Sequence, residues 1–223
     1  PGFTRANARK VTEAVRALWQ RAVAEVRLLV VTHSSSEGMD ATSGPGDGEG
    51  NAYRRQHLEL AAAITDEVNA TLGRRLDHQL VYCSRSGPPT QPWLEPDVND
   101  ALRALAADGV TTVVVAPIGF ISDHMEVRFD LDTEAAQSAA AVGLEMVRVQ
   151  TVGTDPEFVS GLVDLALERA AQARGRGPVA VPTWPGNEAF PPVCPPCGRP
   201  NQQAAHPAPG RAAPQPTATP DPH

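Results

Sequence analysis

Two stretches carry the side chains best suited to chemistry. One reads His33-Ser34-Ser35-Ser36-Glu37-Gly38, and the other runs from Ile118 to Glu126 and includes Asp123, His124 and Glu126. An imidazole takes up or gives up a proton near neutral pH, and a carboxylate beside it can relay that proton or hold a divalent cation. Asp130, Asp132 and Glu134 continue an acidic series at alternate positions. Each group also has a plain structural reading. His33 can bond the backbone at a strand end, and His124 can pack beneath its own loop. Asp123 and Glu126 have the spacing of a helix capping box, and a run of charges is often a solvated face.

Other chemistries find little support. No G-x-x-x-x-G-K or G-x-G-x-x-G sits at a strand–helix junction, and the flexible segment from Gly46 to Gly50 is acidic, so it would repel phosphate. No G-x-S-x-G elbow points to a serine hydrolase. The Gly/Pro-rich stretch from Ser84 to Pro96 holds Arg85 and Trp93, and reads either as a structural turn or as a wall against a flat ligand. Cys194-Pro-Pro-Cys197 supplies two thiols, half of what a zinc or iron–sulfur site requires.

These groups need a scaffold, and composition bounds it. The chain has 223 residues, of which 41% are hydrophobic and only 4% aromatic, so its core is built from Ala, Val and Leu. A net charge of -7 argues against a nucleic-acid binder working through a broad basic field. No apolar run is long enough for a membrane span. Three cysteines do not make an extracellular disulfide framework, which points to the reducing cytoplasm. The chain opens on Pro1 with neither Met nor a leader, and a fragment or processed product is the expectation.

Most of the 22 prolines lie from Pro178 onward. Residues 175–223 are therefore expected to be a disordered, Pro-rich tail, and residues 1–174 the folded part. Within the latter, short β-branched runs at Val26–Thr32, Gln79–Cys83, Thr111–Pro117 and Glu145–Val152 suit strands buried on both faces. Helical periodicity covers Phe3–Val23, Tyr53–Leu72, Asp97–Ala107, Thr133–Val142 and Asp155–Ala171. The order is one helix and then four strand–helix units. It predicts an α/β fold, a four-stranded parallel sheet flanked by helices in Rossmann-like fashion, with strand order 2-1-3-4. Ligands in such sheets bind beyond the carboxyl ends of the strands at the switch point. The loops after Thr32 and Pro117 are thus expected to share one crevice.

Taken together, three segments resemble the ferrochelatase family. They are VAPIGFISDHMEVRFDLDTE at 115–134, SRSGPPTQPWLEP at 84–96, and Thr32-His33-Ser34 after the first strand. Ser35-Ser36-Glu37 departs from the family's usual apolar-and-proline continuation. The resemblance covers roughly residues 1–173 and is to the second of the family's two Rossmann-like halves, in the style of the high-GC Gram-positive branch. It implies insertion of Fe2+, as substrate, into coproporphyrin III rather than protoporphyrin IX. It also implies His33 as proton acceptor and metal ligand, and Glu126 as metal ligand or proton relay. Asp123, Asp130 and Glu134 would form a proton or cation path, and Arg85 and Trp93 the porphyrin wall. Relatives in that branch often carry a [2Fe-2S] cluster; with Cys194 and Cys197 alone in the tail, none is expected here. A cytoplasmic monomer is expected, in transient contact with other enzymes of haem synthesis. The readings set against this one are a cobalt or nickel chelatase and a half-domain that binds porphyrin or metal without turnover.

Overall fold

The computed structural model describes residues 2–44, 50–87 and 90–175; the proline-rich stretch beyond lies outside the described residues. Four strands, β1 (Arg27–His33), β2 (His78–Cys83), β3 (Thr112–Ala116) and β4 (Glu145–Arg148), form one parallel sheet in the order β2-β1-β3-β4. This is the order the strand–helix alternation predicts. β1 and β3 are central, and their runs LLVVT and TVVVA are buried throughout. A strand covered on both faces has no reason to alternate polar and apolar residues.

Successive side chains nevertheless divide the core in two. Leu28, Val30, Leu80, Tyr82 and Val114 face α1 (Gly2–Gln20) and α3 (Ala52–Leu72). Leu29, Val31, Val81, Val113 and Val115 face α4 (Val98–Ala107) and the helical run that follows β3. On α1 the inward stripe is Ala8, Val11, Val15 and Leu18, at the spacing of one helical face. Asp97 caps α4 by accepting from Asn99 N–H at 2.8 Å, as its place before the apolar stripe predicts. The last helix, α7 (Pro156–Ala173), lies against α1 through Phe158 and Phe3, and leaves Val159, Leu162, Val163, Leu165 and Leu167 exposed.

Several boundaries differ from the sequence expectation; α1, for one, ends at Gln20 rather than Val23. Residues 34–50 read as loop, yet Ser36 accepts from Met39 N–H and starts the short α2 (Glu37–Ala41). The helix expected at Thr133 begins eight residues earlier, as α5 (Met125–Val127), a π-helical segment (Arg128–Ala135) and α6 (Ala136–Ala141). Its buried stripe, Val127, Leu131, Ala135 and Ala139, keeps a strict spacing of four. That spacing drifts around a helix of 3.6 residues per turn, and the wider π turn takes up the drift. β4 ends at Arg148 instead of Val152 because its neighbour β3 runs into Pro117, which has no N–H for the ladder.

Candidate active site

His33 is the last residue of β1, and its ring stands at the carboxyl end of the sheet. Glu126 is in the first turn of α5, just past β3. The fold brings them to 3.3 Å, Nε2 to Oε1, with side chains 38% and 49% exposed. The two loops meet because Gly119 lies directly against β1. Its N–H donates to Val31 C=O at 3.0 Å, and a Cβ placed there would fall 2.1 Å from Thr32 Oγ1. Only a glycine permits that approach.

The His33 ring has a defined tautomer. Nδ1 lies 2.6 Å from Ser34 C=O, and since a carbonyl can only accept, Nδ1 carries the hydrogen. Nε2 is then the open nitrogen, and it faces Glu126. A lone pair and a carboxylate at that separation repel each other unless a positive species joins them. A proton makes the pair an ion pair; a divalent cation makes it a two-donor ligand set. His33 does bond the backbone, as the plain reading has it, but with the nitrogen turned away from Glu126.

Ser34 itself is fixed by donating its N–H to Cys83 C=O at 2.7 Å and its hydroxyl to Leu94 C=O at 3.1 Å. Phe120, buried, packs between the two imidazoles, with centroids 6.4 Å from His33 and 5.6 Å from His124. Apolar side chains stand exposed nearby in sequence: Met39 on α2, and Ile121, Met125 and Phe129 flanking Glu126. Composition alone gave no signal that these apolar side chains stand exposed.

The other expected residues separate. The Asp123–Glu126 capping box does not form. His124 is the N-cap, accepting from Val127 N–H at 3.5 Å, which frees Glu126 for His33. Asp123 instead accepts from Arg148 at 2.7 Å and from Thr151 N–H at 3.4 Å. Arg148 also holds Asp132. Burial works against the Arg148 charge, but bonds and attraction from Asp132 and Asp123 outweigh it and raise its pKa, so the guanidinium stays charged. Asp130, one turn beyond Glu126, accepts from the Ser84 hydroxyl at the end of β2. Ser84 holds a left-handed backbone at φ 60°, unusual for a residue with a side chain. Glu134 is exposed.

Trp93 is half-buried and pairs through its backbone with Ser36, so it braces the loop that follows His33; Arg85 is exposed beside Ser84. Cys194 and Cys197 lie outside the described residues. Cys83 does not suit a cluster, which needs thiolates: burial pushes its thiol up to about 12. Among the described residues no three His, Cys, Asp or Glu side chains converge as a metal cage, and no helix is long and apolar enough to cross a membrane.

Comparison with known proteins places this geometry in context. The family model described as Ferrochelatase matches residues 1–170. The chain is 48% identical over 178 residues to the coproporphyrin III ferrochelatase of Streptomyces griseus, covering 79% of this chain and 48% of that protein. It is 49% identical over 156 residues to that of Propionibacterium freudenreichii, covering 70% and 43%. With the Streptomyces coelicolor protein the figure is 48% over 193 residues, covering 82% and 51%. The chain thus spans about half the length of the curated relatives it matches.

Proposed function

The chain belongs to the ferrochelatase family, and from that premise we propose that its sheet end is a site for inserting Fe2+ into a porphyrin, coproporphyrin III by analogy with the relatives above. The observation that carries this reading is the His33–Glu126 pair, whose open nitrogen and carboxylate can share either a proton or a divalent cation.

The reaction is balanced by protons alone. Fe2+ enters, two pyrrole N–H bonds break, and two protons leave, with no change of oxidation state. His33 Nε2 accepts one proton, since Nδ1 is already committed to Ser34. Glu126 holds the metal from the same side or passes protons outward. Two donors bind a divalent ion loosely and leave its other positions free, which suits an ion that must be handed on. Asp130, four residues along the same helical run, is the natural next acceptor. Asp123 acts on Arg148 and keeps the loop in place. The exposed Met39, Ile121, Met125 and Phe129 offer an apolar rim for the macrocycle face, with Trp93 bracing the loop beside it.

A second reading is binding of porphyrin or metal without turnover, since the pair at the sheet end supplies two donors and can hold a cation without passing it on. One experiment separates the two. The chain is mixed anaerobically with Fe2+ and coproporphyrin III, and the metalloporphyrin spectrum is followed in wild type, His33→Ala and Glu126→Ala. Turnover lost in both variants supports insertion at this pair. Porphyrin binding without turnover supports the second reading. Turnover retained in both variants removes the pair from the chemistry.

A further inference from the structure

We propose that Tyr53 is a positioning residue for His33, its phenol orienting the peptide that fixes the imidazole tautomer; this rests on the role given to His33 above. The β1–β3 ladder ends at the Val30–Ala116 pair, so the His33 carbonyl has run past its strand partner. A carbonyl there needs another donor. Tyr53 Oη supplies it at 2.7 Å. The phenol has one hydrogen, and it is spent on that carbonyl. The 3.1 Å contact with the wholly buried Thr32 is therefore a bond from Thr32 Oγ1–H to the phenol oxygen.

The peptide between His33 and Ser34 is held on both edges. Its C=O accepts from Tyr53, and its N–H donates to Cys83 C=O at 2.7 Å. This plane sets where the next carbonyl, that of Ser34, meets His33 Nδ1–H. Without the phenol, one edge is free and the plane can rock about the Cys83 bond. The Ser34 carbonyl then leaves Nδ1, and hydrogen on Nε2 blocks the nitrogen that faces Glu126.

Tyr53 is itself seated with care. Its N–H donates to Ser43 Oγ at 2.9 Å, and Arg54 N–H donates to Asp40 Oδ1 at 3.0 Å. Asp40 is fully buried, and its backbone carbonyl also accepts from Asn51 N–H at 2.8 Å and from the Ser43 hydroxyl at 2.7 Å. Asn51 makes no side-chain cap, so Asp40 and Ser43 satisfy the first turn of α3 from outside the helix. His57, with its ring 4.4 Å from Tyr53, packs against the phenol ring. Burial raises the Tyr53 pKa, which keeps the phenol a donor.

The test uses the full chain and Tyr53→Phe, which keeps the ring and removes the hydroxyl. Nitrogen-15 spectra of the imidazoles are recorded without metal, at a pH about two units above the ordinary histidine pKa, with His33 assigned by its disappearance in His33→Ala. Wild type is expected to show His33 as the Nδ1–H tautomer and Tyr53→Phe a mixture, with the melting curve retained. Co2+ affinity, read from its visible absorption, is expected to fall roughly 10-fold in Tyr53→Phe. In the His33→Ala background the same substitution is expected to add nothing. Tyr82→Phe, which removes a different phenol, is expected to change neither signal. An unchanged His33 tautomer in Tyr53→Phe overturns the proposal, as does an equal loss of Co2+ affinity in the His33→Ala background. Should wild type bind no Co2+, the metal reading of the site falls, and the tautomer spectrum still decides the role of Tyr53. Should Tyr53→Phe not fold, Ser43→Ala, which unseats the Tyr53 backbone, is expected to give the same tautomer mixture in smaller proportion, and an unchanged spectrum there also overturns it.

Discussion

The two ends of the sheet hold similar raw materials and use them differently. At the amino ends of the strands a cavity of about 540 Å³ is lined by Arg27, Arg74, Arg75, Glu25 and Asp77. Part of its charge is met within the fold: Arg27 pairs with Asp77, and Arg74 lies 5.6 Å from the Trp19 ring centre. At the carboxyl ends His33 and Glu126 face each other at 3.3 Å, a base and a carboxylate that a shared proton or cation would join. Volume and charge count favour the first end as a site; unmet electrostatic demand favours the second. The difference lies in how loops leave the strands. Those at the carboxyl end carry the chemical groups past the last ladder bonds, where backbone and side chains must find new partners.

The largest expected contrast is in catalysis. His33→Ala and Glu126→Ala should each lower iron insertion by about 10²–10⁴-fold, the usual scale for a positioned acid or base. Arg75→Ala at the opposite end should leave the same assay within about twofold, outside the reach of the chemistry. A comparable loss from Arg75→Ala would break the comparison.

Next comes stability, read by thermal melting. Gly119→Ala drives a Cβ to 2.1 Å from Thr32 Oγ1 and 2.7 Å from its Cα, so a loss at the upper end of about 1–3 kcal/mol is expected. Gly109→Ala at the amino end has open space but a φ of +83°, and should cost about 1–2 kcal/mol from backbone strain alone. The reverse order of the two losses would mean that Gly119 has room to yield.

Smaller again is the Arg27–Asp77 pair, whose side chains are 44% and 61% exposed. A double-mutant cycle should give a coupling of about 0–1 kcal/mol that fades with added salt.

The smallest expected effect is one of pH. Burial lowers the His57 pKa, chiefly because the charged form loses its water; the bond to Tyr53 C=O and the attraction of Asp40 only partly offset this. The unfolded chain therefore binds this proton at a higher pH than the folded one. Stability from His57 is complete above the ordinary histidine pKa and falls as pH drops from there towards the lowered folded value. His57→Gln should flatten the melting temperature in that window. An unchanged slope would show that another group sets the acid dependence at this end.

Much of this was legible in the residues. Continuous apolar runs such as Leu28–Val31 and Val113–Val115 mark two-face burial, and the strand–helix alternation leaves few sheet orders to choose from. The crevice between the loops after Thr32 and Pro117 follows from that order. The acidic series was not legible in the same way, because alternate spacing says nothing about partners. Arg148, far along the chain, claims Asp123 and Asp132, whereas Ser84 claims Asp130. The capping-box spacing misled for a related reason. Asp123 has a stronger partner in Arg148, and His124 takes over the cap.

By itself the sequence determined the layers, the strand order and the two loops that bear histidine and carboxylate, since burial pattern and chain connectivity act locally and along the chain. Tertiary structure alone decided which carboxylate meets His33, which ring nitrogen stays open, and that Tyr53 holds the peptide beside it. These depend on angstrom-scale approach between segments remote in the chain, above all Gly119 against Thr32, and hydrogen-bond direction at that range is set by packing rather than by residue type.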